Sequence, residues 1–333
     1  MTRRSNAFLP QALPFGLSLF ASLALGTSAL LAQTAGQAAD TAEAVGGAQW
    51  SDNVEITFDD AESTFRYRSD GIPSTYLAEF YLVPDDPGMM PFSTNPDATF
   101  WTLDAADIEA SPIDTTITTQ PVYSETVTET ALGQIGVAIN GARLFNDYED
   151  MKRTIVALDD NVIHDHAAFV DECNGHPLGD GTSYHYHGLP TCLTEEVDLP
   201  GQHSVMIGVL QDGFPVYSNK DAEGEVVTNA ALDECGGHYG ATPEFADGIY
   251  HYHLTADEAP YSIDCYHGEI EMAARGGPGG QRELGSAADA LGVSEQALRD
   301  ALGDGPPDFN AAAEALGVSV EDLRAVMPLP PGQ

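Results

Sequence analysis

A duplicated block of histidines and cysteines, between His164 and His267, constrains this chain more than any other feature. All ten histidines and all four cysteines lie in this block, and the rest of the 333 residues contain neither. Each copy reads Asp-Glu-Cys-x-Gly-His, then a Tyr-His-Tyr-His tetrapeptide and a second cysteine, and the copies begin at Asp171 and Asp233. The duplication predicts two similar half-sites within one fold.

The tetrapeptides predict pairs of histidines that share one side of a strand. In an extended chain, residues two apart point to the same face, with Cα atoms about 6.5–7 Å apart. Imidazole is the commonest metal ligand in proteins, and three histidines with one open position suit zinc or copper. The Gly-His histidine of each copy is the natural third ligand. The candidate metal ligands are therefore His176, His185, His187, His238, His251 and His253.

The other histidines leave alternatives open. His203 reads as a hydrogen-bonded structural side chain, and His267 fits a structural role or a ligand role equally. His164 and His166 flank Asp165 and predict either an outer site or a solvated turn. For the tetrapeptides, the structural alternative is that their histidines join two symmetric hairpins by hydrogen bonds, with tyrosine hydroxyls as partners.

The four cysteines favour two disulfides, because the chain begins with an export signal. The duplicated layout favours Cys173–Cys192 and Cys235–Cys265, and each bridge would contribute about 3 kcal/mol by the chain-entropy argument. The alternative is a zinc site that uses thiolates, since Cys173 and Cys235 each precede a histidine at a ligand-like spacing. An oxidising compartment disfavours free thiolates.

The N-terminal residues 1–32 read as a secretory signal peptide, because a basic start precedes an apolar stretch with small residues. The alternative is an uncleaved membrane anchor, which the small and polar residues make marginal. No stable membrane span is expected after cleavage, so the protein is predicted to be secreted, periplasmic or at the cell surface. Residues 33–50 are rich in Ala, Gly and Thr and predict a disordered linker.

The balance of charge excludes one class of partner. The chain has 52 acidic and 12 basic residues. A surface of this kind repels phosphate backbones, which argues against a nucleic-acid partner. It also fits a protein that stays soluble in salty water, where screening reduces the repulsion between like charges.

Strand signals run through the segment that contains the duplication. The run 54–58 alternates apolar and polar residues, as a half-buried strand does. The run 135–141 ends in an Asn-Gly turn, and the apolar run 205–210 is followed by Asp212 and Gly213, so both read as buried strands. These signals predict a mainly β fold, a single β-sandwich-like domain over 51–272 with duplicated His/Cys half-motifs.

The C-terminal part differs from the rest of the chain. A Gly/Pro linker at 273–283 precedes two copies of a helical unit within 284–333. The copies begin at Ala288 and Ala313, and each reads as a helix, a Leu-Gly turn, a Ser N-cap and a second helix. A DNA-binding helix-turn-helix is disfavoured by the acidity of the tail and by the export signal. We expect a small α-helical tail that offers a surface to a protein partner.

Several segments together carry a resemblance to a known family. They are 181–190, the two Asp-Glu-Cys-x-Gly-His copies, 207–217 and 248–253. On these motifs the chain resembles the YHYH domain family, which is named for the tetrapeptide, over about residues 50–272. The resemblance implies an exported or surface protein of largely uncharacterised activity, and it supplies neither a reaction nor catalytic residues.

Three functional hypotheses follow from these patterns. The leading one is a secreted protein that binds a transition metal, copper or zinc, through the paired tetrapeptide histidines. The second is a metal-dependent extracellular enzyme, a hydrolase or an oxidase, in which Asp212 is an acid–base or supporting group. The third is a structural or adhesion module, in which the histidines and disulfides serve the scaffold.

Overall fold

An eight-stranded sheet contains both copies of the duplicated block. The computed structural model describes residues 36, 38–75, 77–150, 152–270, 288, 291–294, 297–298, 301, 309–319 and 323, so the predicted signal peptide and the Gly/Pro linker lie outside the described residues. The strands are β1 (Val54–Asp59), β2 (Thr64–Ser69), β3 (Phe80–Pro84), β4 (Phe100–Asp104), β5 (Ile113–Thr118), β6 (Tyr123–Glu129), β7 (Gln134–Ala138), β8 (Arg143–Phe145), β9 (Ile163–His164), β10 (Ala167–Ala168), β11 (Gly175–His176), β12 (His185–Tyr186), β13 (Gly208–Leu210), β14 (Pro215–Tyr217), β15 (Gly237–Gly240), β16 (Ile249–His253) and β17 (Cys265–Gly268). The prediction of a mainly β fold is confirmed.

The order of strands in this sheet is β11-β12-β8-β7-β13-β14-β16-β15. It has the same plan from either edge: an edge strand, an antiparallel partner that carries a tetrapeptide, and a hairpin next to the centre. At the centre β7 and β13 pair antiparallel, with Val137 opposite Val209. These valines are equivalent in a 72-residue repeat that also relates Ile135 to Ile207. A local two-fold axis therefore passes between the two valines.

Each central hairpin turns at a glycine with positive φ, as the sequence signals indicate. Gly141 has φ 99° and Gly213 has φ 89°, a region that favours glycine. A Cβ atom at Gly213 would also lie 2.7 Å from the carbonyl oxygen of Thr118. The turn therefore needs glycine for its conformation and for the close approach of β5.

A three-stranded sheet, β1-β2-β5, packs over the centre of one face of the large sheet. The side chains of this contact form one buried cluster, which includes Phe65, Tyr67, Ile113, Ile117, Val137, Val209 and Tyr217. Burial of an aliphatic or phenyl side chain of this size stabilises the fold by about 1.5–3 kcal/mol. The hydroxyl of Tyr67 also donates a hydrogen bond to the carbonyl oxygen of Ala138, at 3.0 Å. This contact fixes the small sheet across the two-fold axis.

The opposite face of the large sheet holds the tetrapeptide tyrosines. Tyr184, Tyr186, Tyr250 and Tyr252 are buried in a second, larger cluster with Leu144 and Val216. Because side chains alternate along a strand, the tetrapeptide histidines face the other way, toward the side that carries β1-β2-β5. A four-stranded sheet, β4-β3-β10-β9, and the pair β17-β6 complete the described β structure.

A short helix lies where the sequence predicts a disordered linker. Helix α1 (Ala42–Gly47) belongs to the segment 33–50, and its Val45 is fully buried against Phe65 and Tyr67. Two buried apolar side chains, Ala44 and Val45, and backbone hydrogen bonds to residues 119–123 hold the segment in place. So short an apolar signal has no period that sequence analysis can detect. Two further described α-helices are α2 (Thr191–Val197) and α3 (Phe309–Leu316), and five single-turn 3-10 helices lie at Pro87–Met89, Phe92–Thr94, Ala105–Asp107, Ala222–Gly224 and Asn229–Ala231.

The described tail residues have their own apolar cluster, made of Ala288, Leu298, Ala312, Ala313 and Leu323. The two-unit organisation of the tail and the predicted domain boundaries remain predictions. Among the described helices, none combines the length and the apolar character needed to cross a bilayer.

Candidate metal centres

The six predicted ligands form two groups, one toward each edge of the large sheet. Pairing of β11 with β12 places His176 beside His185, and pairing of β15 with β16 places His238 beside His251. The last histidine of each tetrapeptide lies two residues further on, on the same face. Five strand spacings of about 4.8 Å separate β12 from β16, so the groups lie about 24 Å apart. The histidines therefore build two sites rather than one.

We name these sites by their residues. Centre A consists of His176, His185, His187 and Glu149. Centre B consists of His238, His251, His253, His203 and Asp221.

Backbone carbonyls fix the ring orientation of the tetrapeptide histidines in centre A. The Nδ1 atom of His185 lies 2.7 Å from the carbonyl oxygen of Ser183, and that of His187 lies 2.6 Å from the carbonyl oxygen of Asn146. A carbonyl oxygen can only accept, so each Nδ1 carries the proton and each Nε2 presents a lone pair to the centre. This is the tautomer, oriented through its second nitrogen, that metal-ligating histidines commonly adopt.

Centre B repeats the arrangement. The Nδ1 atom of His251 lies 3.0 Å from the carbonyl oxygen of Ile249, and that of His253 lies 2.5 Å from the carbonyl oxygen of Ser218. Ser218 follows Asn146 by the same 72 residues that relate the two central valines. The duplication therefore copied the anchors of the rings together with the rings.

Three imidazole nitrogens converge in centre B. The Nε2 atoms of His238, His251 and His253 lie 3.0–3.2 Å from one another. Nitrogens about 2.0–2.1 Å from a tetrahedral ion lie about 3.3 Å from each other, so one ion fits between them. The lone pairs of His251 and His253 face each other at 3.0 Å, an arrangement that a shared cation relieves.

Centre A adds a carboxylate to its three histidines. Glu149 Oε1 lies 3.1 Å from Nε2 of His176 and 3.1 Å from Nε2 of His187. These three buried atoms have no partner with the alignment of a hydrogen bond. Contacts this short without that alignment are what a cation bound between the atoms would require, since buried polar atoms are normally satisfied.

Burial and charge interactions in centre A shift the pKa of Glu149 and the pKa values of two of its histidines. Burial opposes ionisation of Glu149, but its charge interactions with His176 and His187 outweigh burial, so its pKa lies well below the ordinary value. Burial lowers the pKa of His187, yet the charge of Glu149 outweighs it and the pKa is raised. Burial, and then the neighbouring histidines, hold the pKa of His185 well below its ordinary value.

Burial keeps His238, His251 and His253 of centre B neutral. It lowers the pKa of His253 to about 3, and it also lowers the pKa of His238 and His251. A neutral imidazole is the form that binds a metal, so protons compete weakly for this centre near neutral pH.

A comparison with protein-family models finds a match for the region that contains the two centres. The family model described as YHYH protein matches residues 114–229 and 221–268, a span that contains both centres. The chain carries a YHYH domain. Comparison with curated proteins and with solved structures gives no match.

Tyrosines of the two tetrapeptides in the YHYH domain donate hydrogen bonds to its duplicated aspartates. The hydroxyls of Tyr184 and Tyr250 donate to Asp171 and Asp233, both at 2.9 Å. Each aspartate also accepts from two backbone amides of its own Asp-Glu-Cys-x-Gly segment. The structural alternative, in which tyrosine hydroxyls are the partners of the histidines, is wrong in this respect. The described hydroxyls of Tyr184, Tyr250 and Tyr252 donate to aspartates, and the hydroxyl of Tyr186 accepts from the side-chain amide of Asn140.

Asp212 lies on the tyrosine side of the large sheet. It accepts hydrogen bonds from the Tyr252 hydroxyl at 2.7 Å and from the amides of Phe214 and Gly268. Burial raises its pKa to about 6. These contacts make Asp212 a support for Tyr252, and its described hydrogen bonds join it to no histidine side chain of centre B.

Sequence reasoning missed three residues of the centres. Glu149 and Asp221 are 72 residues apart, so the strand repeat is the signal that could have paired them. The sequence predicts a structural role for His203, yet its Nε2 is buried without a hydrogen-bond partner, and its nitrogen groups with those of His251 and His253. Its Nδ1 lies 2.7 Å from the carbonyl oxygen of Ser204.

The remaining histidines of the YHYH domain lie elsewhere. His164 and His166 are exposed on either side of the β9–β10 turn, which corresponds to the predicted solvated turn. His267 stacks on Tyr123 with ring centroids 5.0 Å apart, and its Nε2 lies 3.5 Å from Asp233.

Two disulfides close the Asp-Glu-Cys segments of the domain. Cys173 bonds to Cys192 and Cys235 bonds to Cys265, the pairing that the duplicated layout favours. No described cysteine is free, so the alternative of a zinc site with thiolate ligands is wrong. Each bridge anchors the loop that leads to the Gly-His histidine.

Proposed function

We propose that the YHYH domain binds two transition-metal ions, copper or zinc, one in each centre. The ligands are His176, His185 and His187 in centre A, and His238, His251 and His253 in centre B. One observation carries the proposal: three Nε2 atoms lie 3.0–3.2 Å apart in centre B, with two of their rings oriented by carbonyls through Nδ1.

The choice of metal follows from the ligands. Imidazole suits zinc and copper, whereas magnesium and calcium prefer oxygen. The carboxylate of Glu149 gives centre A three nitrogens and one oxygen, a set that completes a four-coordinate zinc site. The lowered pKa values of His238, His251 and His253 favour occupancy of centre B near neutral pH.

Export belongs to the same proposal. The two disulfides fit an oxidising compartment, in agreement with the signal peptide predicted at residues 1–32. The protein then acts as a secreted, periplasmic or cell-surface metal binder. Its acidic surface attracts cations from solution, and its helical tail offers a surface to a protein partner.

Metal analysis of four purified proteins tests the proposal. We expect two equivalents of zinc or copper in the wild type, and one in each of the double variants His185→Gln/His187→Gln and His251→Gln/His253→Gln. The matched control is His164→Gln/His166→Gln, which removes an exposed pair with the same spacing and should retain two equivalents. Elemental analysis after dialysis, followed by titration with each metal, gives the counts.

The same experiment separates binding from a scaffold role. A double variant that melts like the wild type after metal removal, yet has lost one equivalent, supports a metal site. A wild-type protein that neither carries metal nor takes it up in titration would reject the proposal.

A further inference from the structure

We infer that centre B keeps a coordination position open to small molecules from solvent, such as water or a small anion, whereas centre A is closed. This inference rests on the proposed function, because it concerns how the bound ions differ. Centre B would then be the reactive metal site of the domain, and centre A would be a structural metal site.

The aromatic cover over the first ligand differs between the copies. Phe169 is buried, and its ring centroid lies 4.6 Å from that of His176. In the repeat that aligns Asp171 with Asp233, the equivalent of Phe169 is Ala231, which is exposed. The second copy therefore lacks the ring that covers the Gly-His histidine of the first.

The exposure of the Gly-His histidines follows this difference, although the tetrapeptide histidines of centre B are as buried as those of centre A. His176 is 5% exposed, and the other two histidines of centre A are 2% exposed. His238, the equivalent of His176, is only partly buried and lies on the edge strand β15. Solvent therefore reaches centre B from the side of His238.

The carboxylates of the two centres also differ in their exposure and in their distance from the imidazole nitrogens. Glu149 reaches into centre A, with Oε1 3.1 Å from two imidazole nitrogens, and its side chain is 16% exposed. Asp221 is one methylene shorter, its side chain is 37% exposed, and its Oδ1 lies 3.7 Å from Nε2 of His203. Glu149 would thus supply the fourth ligand of an ion in centre A, while Asp221, whose carboxylate lies within 4.8 Å of nitrogens of His238 and His253, reaches less far into centre B.

His203 provides a group for a molecule bound at the open position. Its Nε2 is buried and has no hydrogen-bond partner, and its ring centroid lies 5.4 Å from those of His251 and His253. With the Nδ1 proton directed at the carbonyl oxygen of Ser204, Nε2 is an acceptor. Three histidine ligands, one open position and a nearby acceptor are the features of metal sites that activate water.

Azide binding to the copper-loaded protein tests the inference. The variant His185→Gln/His187→Gln retains only centre B, and the variant His251→Gln/His253→Gln retains only centre A. We expect the first variant to show the azide-to-copper charge-transfer band, and the second to bind copper without that band. Adding Glu149→Ala and Phe169→Ala to the second variant should create the band, because together they remove the carboxylate at the fourth position and the cover over His176.

The outcomes distinguish this inference from the proposed function. Copper bound by both double variants, with a band of equal strength in both or only in the variant that retains centre A, would overturn the inference alone. Neither copper nor zinc in either variant would overturn the proposed function and the inference with it. Transfer of zinc to a chromogenic chelator gives a second measurement that needs no Phe169 variant: centre B should release its ion faster than centre A.

Discussion

Val137 and Val209 face each other across the centre of the eight-stranded sheet, and each is the equivalent of the other in the 72-residue repeat. An antiparallel pair of equivalent residues defines a two-fold axis normal to the sheet. The two centres are therefore related by this axis and lie on one face, at opposite ends. The copying of one half produced a second site, which then diverged at positions such as Phe169 and Ala231.

Replacement of Asp212 by Asn should change how stability depends on pH. Burial raises the pKa of Asp212 to about 6 in the folded protein, against about 3.9 in an unfolded chain. The folded state therefore keeps this proton to higher pH, so the group contributes most stability below about pH 4 and loses it as the pH rises through about 6. The loss is about 3 kcal/mol.

Asn140 shows why this substitution is compatible with the fold. Asn140 precedes Asp212 by 72 residues, and its side-chain amide donates to the hydroxyl of Tyr186 at 2.9 Å. Denaturant unfolding at pH 4.5 and at pH 7 gives the difference in unfolding free energy between the wild type and Asp212→Asn at each pH. A difference that stays constant over this range would contradict a raised pKa, because lost hydrogen bonds act equally at both pH values.

Replacement of Glu149 by Gln should weaken zinc binding at centre A alone. Glu149 Oε1 is the only described carboxylate oxygen within 3.5 Å of the Nε2 atoms of His176 and His187, and Gln keeps the shape without the charge. We expect a loss of about 10–100-fold in affinity. Competition with a chelator of known affinity measures both sites. Asp221→Asn is the matched control and should affect centre B less, and equal losses would place the two carboxylates in the same role.

Replacement of Val45 by Ala tests whether α1 is part of the folded domain. The Val45 side chain is fully buried against the cluster of Phe65 and Tyr67, so loss of two methyl groups should cost about 1–2 kcal/mol. Denaturant unfolding measures the change. The exposed Glu43 lies in the same helix, and Glu43→Ala should change stability by less than about 0.5 kcal/mol. A neutral Val45→Ala would mean that the segment is a linker, as the sequence predicts.

Removal of either disulfide should destabilise the domain by about 3 kcal/mol. The Cys173–Cys192 bridge spans 19 residues and the Cys235–Cys265 bridge spans 30, so the second should contribute slightly more. Melting temperatures of Cys173→Ser/Cys192→Ser and Cys235→Ser/Cys265→Ser compare them. Double variants as stable as the wild type would show that packing alone holds the Asp-Glu-Cys segments.

The sequence by itself determined the residue types of the two centres and their grouping. Histidines two apart on a strand share a face whatever the rest of the fold does, so His185 with His187 and His251 with His253 follow from strand geometry. The disulfide pairs followed from the duplicated layout, and the mainly β character followed from alternation of apolar and polar residues.

Only the tertiary structure decided how many sites form and what completes them. Strand order places the tetrapeptides five strands apart, and no local pattern encodes that order. Glu149, His203 and Asp221 reach the centres from distant parts of the chain, and Asp212 faces the opposite side of the sheet from the histidines. Contacts between residues far apart in sequence depend on the pairing of the whole sheet, which is why residue type and spacing alone could not assign them.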